Sequence, residues 1–175
     1  MYIDDLLDKF YIAYHNKDFE KAIHLLDELL LQEGQASFWI YSRKSSCYYE
    51  LKDYKTAVLY AKKAYKLQPN SPLVLWDYAG PLIMLKKEKK AIELLMRIQD
   101  MEEDLTQYGF SIPDIKWMRS IKNDANFLIG KAYYTICEDN LAKEFLLKHL
   151  SNRGRGKKSI YQKKLILKYL KKIDL

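Results

Sequence analysis

The 175-residue sequence is poor in turn-forming residues, with six glycines and four prolines. That supply excludes many short strands joined by tight turns and favours long helices with short connections. Cysteine is scarcer still. Cys47 and Cys137 are too few for the disulfide framework of a small secreted domain, and both are expected as buried free thiols in a reducing compartment. No run of about 18 apolar residues occurs, so no membrane-spanning helix is expected. The opening Met1-Tyr2-Ile3-Asp4-Asp5 lacks the basic and apolar regions of a secretory leader. These absences together predict a cytoplasmic protein.

Sequence signs of chemistry are equally thin. His15, His24 and His149 are the only histidines; none pairs with another at i, i+4, and no cysteine lies at metal-ligand spacing. The run Gly154-Arg155-Gly156-Lys157-Lys158-Ser159 lacks the phosphate-loop spacing and follows no strand, so it reads as a basic linker. No catalytic residue, metal site or cofactor is predicted.

What the sequence does have is 49% hydrophobic residues, 30% charged residues and 15 tyrosines, the composition of a folded domain with a sizeable core. The net charge of +7 is unevenly placed. From Ser151 onward nine basic residues face one acid, giving +8, while the preceding 150 residues, with 21 basic and 22 acidic groups, carry −1. Arg153, Arg155, Lys157 and Lys158 begin that basic tail.

Self-similarity is the strongest signal. Asp18-Phe19-Glu20-Lys21-Ala22-Ile23 matches Asp53-Tyr54-Lys55-Thr56-Ala57-Val58, and weaker copies surround Ala91 and Ala142. The alanines are separated by 35, 34 and 51 residues, the last interval being one period plus a 17-residue insert. An alanine at fixed register, opening the second helix of a pair, lets two helices cross closely. Twelve residues upstream stand Ser45, Ala79 and Gly130, and three residues beyond those Tyr48, Leu82 and Tyr133. The first unit inverts this with Phe10 and Ala13, a swap that conserves volume.

These residues resemble the tetratricopeptide repeat pattern W-x2-L-G-x2-Y…A-x3-F…P. Tyr41-x2-Lys44-Ser45-x2-Tyr48…Ala57-x3-Ala61…Pro69 is the clearest copy; copies based on Leu75 and Asn126 follow. Lys9 and Lys44 depart from the pattern, standing where leucine is preferred. The resemblance implies an all-α fold: a right-handed superhelical stack of antiparallel helix pairs, an α-solenoid of about four repeats with a C-terminal capping helix. Helices are expected at 2–15, 18–32, 36–51, 54–67, 71–86, 88–101, 114–136, 139–150 and 158–173. The repeat domain spans 1–150, with units at about 1–36, 37–71, 72–102 and 120–150 and an insert at 103–119; residues 151–175 form a basic linker and amphipathic cap. Gly80-Pro81 falls inside the fifth helix, where proline removes a donor and a kink or π-bulge is expected. The insert's Tyr108, Phe110 and Ile112 are expected to pack on the stack, or else the loop lies in the groove or meets a partner.

The resemblance further implies that the first helix of each pair lines a concave face. That face would carry Tyr11, Trp39, Tyr49, Trp76, Phe127, Lys131 and Tyr134, an aromatic stripe suited to protein recognition. The basic clamp with which some members of the family grip an acidic C-terminus is absent: Leu7, Tyr11, Arg43, Leu73 and Asp77 hold its places. The implied role is a non-enzymatic scaffold or adaptor binding a peptide, a helix or a folded partner. The alternatives are an immunity-type inhibitor covering a folded target, or a nucleic-acid accessory protein acting through the basic tail.

Overall fold

The computed structural model describes residues 2–33, 37–103 and 114–174. Gly34 and the insert side chains Tyr108, Phe110 and Ile112 lie outside the described residues. The described residues form nine helices and no strand: α1 (Tyr2–His15), α2 (Phe19–Glu33), α3 (Phe38–Glu50), α4 (Tyr54–Leu67), α5 (Pro72–Met84), α6 (Glu88–Asp100), α7 (Ile115–Thr135), α8 (Asp139–Gly154) and α9 (Lys163–Ile173). The chain divides into two compact units, Met1–Leu85 and Lys86–Leu175.

Short polar side chains start several helices by meeting first-turn amides that have no intrahelical partner. Asp53 accepts from the Thr56 amide at 3.1 Å and Asp114 from the Trp117 amide at 2.6 Å. Ser37 and Ser71 do the same for α3 and α5, and Pro72 supplies a preset φ at the start of α5. The turns within pairs share one device. Lys17, Lys52 and Cys137 take positive φ of 61°, 64° and 61°. The next amide reaches back to a carbonyl five residues earlier: Asp18 to Ala13, Asp53 to Tyr48 and Glu138 to Tyr133, at 2.9 to 3.0 Å. This is a Schellman closure built with L-residues where glycine is usual.

In the first unit α1 pairs with α2 and α3 with α4, while α1, α3 and α5 lie side by side. The period alanines occupy the helix crossings, and Ala22 and Ala57 are fully buried. The inverted first repeat is also buried, Phe10 being 1% and Ala13 2% exposed. Lys44 fills its leucine position by other means. It is 3% exposed, forms an ion pair with Asp27 and lies 4.6 Å over the Tyr60 ring, so its stem packs while its charge is met. Lys9 instead stays in solvent beside Asp5.

Pro81 does not produce a π-bulge; α5 remains α-helical from Pro72 to Met84. The proline leaves the Asp77 carbonyl without its helical donor, and the Ser45 hydroxyl of α3 stands 3.2 Å from that carbonyl. The same hydroxyl lies 2.9 Å from the Ala57 carbonyl. Ser45, the small residue of its repeat, therefore packs closely and also serves two carbonyl oxygens.

In the second unit α7 packs between α6 and α8, and Ala91 and Ala142 are fully buried. Gly130 is required by space. A Cβ there would lie 2.8 Å from Leu146 Cγ and 3.0 Å from the Ala142 carbonyl oxygen. The basic run at 154–159 is not a linker throughout. Helix α8 continues to Gly154 and closes through Gly156, at φ 81°, with the Lys157 amide bonded to the Asn152 carbonyl. The cap helix begins later than expected, at Lys163, and packs on both α8 and α7. The two cysteines also part company. Cys47 is buried, with its thiol pushed up to about 12 by burial, whereas Cys137 is exposed because it occupies the left-handed turn.

Candidate functional site

The expected aromatic stripe divides between the two units, and each half has its own surroundings. In the first unit Tyr11 is 47% exposed and Trp39, Tyr49 and Trp76 are partly buried. Trp39 meets the edge of the buried Phe10 ring at 5.6 Å and of Tyr11 at 6.4 Å, so one face of the indole is anchored in the core. Tyr49 lies against α5 at Gly80, where a Cβ would stand 3.5 Å from its ring, an ordinary contact distance. Rings held on one side and free on the other provide contact area at small entropic cost.

Beside these rings runs a polar row on α1, α3 and α5. Tyr14 Oη and Ser46 Oγ are 2.7 Å apart. The Ser42 hydroxyl donates to Asp77 Oδ2 at 2.6 Å, and Arg43 donates to the same oxygen at 2.8 Å. The Asp77 and Arg43 side chains are only 9% and 19% exposed. Burial raises the Asp77 carboxyl above its ordinary range, against the opposing pull of the Arg43 guanidinium and the Ser42 hydroxyl. Arg43 Nε has no partner among the described residues. Arg43, at a clamp position of the family pattern, is thus committed to Asp77, and the row orders α3 against α5.

The second unit treats the corresponding face of α7 differently. Phe127, expected on the groove, is 1% exposed. Tyr161 covers it with ring centroids 4.3 Å apart and Tyr169 approaches at 6.0 Å. Tyr134, partly buried, meets Tyr169 at 5.4 Å, and Lys131 is partly buried. Phe127 is therefore a core residue: the chain's own tail supplies the aromatic partners that the sequence left open for a ligand.

Polar contacts fasten that tail. The Ile160 amide donates to Asp124 Oδ2 at 3.2 Å, and the Ser120 hydroxyl reaches the Lys158 carbonyl at 3.4 Å. Arg153, expected in the basic tail, donates Nη1 to the Tyr161 carbonyl at 2.6 Å and holds the corner of the tail. Arg155 and Lys158 are exposed and Lys157 is partly buried. His149 is fully buried. Its Nδ1 lies 2.8 Å from the Asn123 carbonyl, which makes it the donor there, and its Nε2 lies 3.4 Å from the Ser159 hydroxyl. Burial lowers the His149 pKa and raises that of Asp124. Both polar atoms of the Asn123 side chain, Asp124 Oδ1 and Asn126 Oδ1 have no partner in this cluster.

Sequence reasoning missed the Arg43–Asp77–Ser42 row and the Asn123–Asp124–His149 cluster. Arg43 and Asp77 are 34 residues apart, one repeat, so the period itself was a signal. The unit 2 cluster had no comparable marker. Among the described residues no group of three His, Cys, Asp or Glu could hold a metal ion, and no helix is long and apolar enough to cross a membrane.

The helix pairs, the alanine crossings and the 34- to 35-residue register define a tetratricopeptide-like helical repeat fold. Comparison with solved structures agrees on the fold. A crystal structure of MamA protein superposes with a TM-score of 0.66 at 18% identity, over 98% of this chain and 89% of that one. MamA 41-end from Desulfovibrio magneticus RS-1 gives 0.67 at 16% identity, over 98% and 93%. The MamA RS-1 ArsTM double mutant also gives 0.67 at 16%, over 98% and 92%. No protein-family profile matches the sequence, and no curated protein matches it.

Proposed function

We propose that this protein is a non-enzymatic interaction scaffold that binds another protein through the first unit. Its contact surface is the set Tyr11, Trp39, Tyr49 and Trp76. The repeat body at 1–150 carries the surface, and residues 151–175 cap it. The observation that carries this reading is the state of the four rings: all are at least partly exposed, and Tyr11, Trp39 and Tyr49 also rest against neighbouring rings or backbone. Half-buried aromatic anchors are the usual centres of binding energy in protein interfaces. A repeat fold that displays side chains from successive first helices suits a peptide, a helix or a folded surface equally. MamA, a protein of the same fold, adds support for the architecture alone. The reading includes a cytoplasmic setting, in which Cys47 and Cys137 remain free thiols.

The test begins with the tagged full chain purified from its native cell and its bound proteins identified by mass. Trp76→Ala should then weaken the chief partner by about 2 kcal/mol or more while leaving the helical circular dichroism intact. A partner retained at full affinity by both Trp39→Ala and Trp76→Ala refutes this surface. Short fragments of the partner that compete at near-full affinity mark peptide recognition; competition only by the folded partner marks an inhibitor that covers its target.

A further inference from the structure

The outer side of α9 has no place in the reading above. Its sequence, Lys163 to Ile173, contains five lysines and no acid. Ile166 and Leu170, 0% and 9% exposed, bury one side of the helix in the second unit and so fix its orientation. Lys163, Lys164, Lys168, Lys171 and Lys172 are all exposed. None makes an ion pair among the described residues, and Asp174, just beyond the helix, is taken by Lys143 of α8 at 2.7 Å. Other helices interleave their charges: Lys9 pairs with Asp5, and Lys90 with Glu93. On α9, Lys164, Lys168 and Lys172 instead follow one another at i, i+4 and i+8, where like charges repel.

An ordinary solvated face would stop there, but this one also has apolar edges. Leu165 and Leu167 are 38% and 47% exposed on the two borders of the lysine arc. Leu165, Lys168, Tyr169 and Lys172 line a hollow of about 80 Å³. From this arrangement we infer that the outer face of α9 docks an acidic amphipathic helix of a partner protein, its carboxylates meeting the lysine row and an apolar side chain entering the hollow. Charge alone would admit a phosphate backbone, but that backbone offers nothing to the leucines or the hollow. Docking on a lipid surface would need the apolar stripe of α9, which is already buried.

The test uses the full chain and fluorescence anisotropy at physiological salt. The probe is a labelled Glu/Leu peptide of about five helical turns with leucines at i, i+3, i+4 and i+7. Competitors are oligoglutamate of equal length, a short DNA duplex and phosphatidylserine vesicles. The Glu/Leu peptide should bind at least about tenfold tighter than oligoglutamate. The double variants Lys168→Glu/Lys172→Glu and Lys168→Ala/Lys172→Ala should each lose about tenfold or more, with unchanged melting, because both side chains are exposed and make no ion pair among the described residues. Leu165→Ser should weaken the peptide and leave oligoglutamate unaffected. Trp76→Ala should change nothing, which separates this surface from the one on the first unit. The inference is overturned if the peptide does not bind or if oligoglutamate binds equally well. It is also overturned if DNA or vesicles outcompete the peptide, or if the lysine variants bind like the parent.

Discussion

The two units use one repeat plan and treat the aromatic face of their helices in opposite ways. In the first, Trp39, Tyr49 and Trp76 are left partly exposed beside the Arg43–Asp77 pair. In the second, Phe127 and Tyr134 are met by Tyr161 and Tyr169 of the tail. A face carrying aromatic rings must be covered by something, because large apolar patches in water are unfavourable. The second unit covers its own. The first has no such segment among the described residues, and its rings stay partly exposed.

The largest expected effect tests this contrast directly. Phe127→Ala removes a fully buried ring and should destabilise the protein by about 3–5 kcal/mol. It should also raise hydrogen exchange at the Ile160 and Tyr161 amides, because the tail loses the ring it packs against. Trp76→Ala, at a half-buried position, should cost much less in stability. Similar denaturant midpoints for the two variants would erase the distinction between a covered and an open face.

Within the second unit, Gly130→Ala should cost about 1–3 kcal/mol through overpacking. The added Cβ meets the Ala142 carbonyl oxygen at 3.0 Å as well as Leu146, and backbone cannot rotate away. Ser45 is the first unit's counterpart of Gly130 and already carries a Cβ, so the α3–α4 crossing is the more open of the two. Ser45→Gly should therefore lose stability chiefly through the Asp77 and Ala57 carbonyls left without their hydroxyl. Easy tolerance of alanine at Gly130 would show that the two crossings are equally spacious.

Element positions were legible because local signals agreed. The alanine period, the acids at Asp18 and Asp53 and Pro72 after Ser71 all marked the same boundaries. The handling of Pro81 was not legible, since the hydroxyl that meets the freed Asp77 carbonyl comes from Ser45, a full repeat away. Lys44 looked like a flaw until Asp27 and Tyr60 were seen around it. Phe127 had the same sequence signature as Trp39. What separates them is the path of residues 158–169, which no periodicity encodes. Cys137 was misplaced because its turn position, five residues before Ala142, went unread, although Lys17, Lys52 and Lys86 stand at the same distance from Ala22, Ala57 and Ala91.

His149 predicts a pH dependence peculiar to the second unit. Its folded pKa is lowered by burial, so its contribution to stability is present above about 6.5 and is lost as pH falls below that value. Asp124 acts in the opposite sense: its raised carboxyl costs stability at neutral pH and relieves that cost as it protonates in acid. Arg153 is the basic neighbour of both groups. His149→Gln removes only the histidine's share. Stability curves of parent and variant should run parallel above pH 7 and diverge below it, the parent falling faster by at most about 1.4 kcal/mol per pH unit. The tail amides should report the change first. Parallel curves down to pH 5 would place His149 outside the forces that hold the tail.

The smallest effect concerns the feature the units share. Lys52 and Cys137 close their helix pairs at φ of 64° and 61°, a conformation that costs an L-residue about 1–2 kcal/mol. Glycine relieves that strain but adds freedom to the unfolded chain worth roughly 0.5–1 kcal/mol. Lys52→Gly and Cys137→Gly should therefore each stabilise by about 0.5–1 kcal/mol. Both side chains are exposed, so little packing is lost with them. The end of α8 already shows the outcome of such a substitution, with Gly156 at the same position of the same hydrogen-bonded turn. Equal gains at the two sites would establish that the units differ in what covers them and not in how their helices are joined. A gain at Lys52 alone would mean that the turn at Cys137 carries an additional constraint, and the tail packed on Tyr134, three residues earlier, is its nearest source.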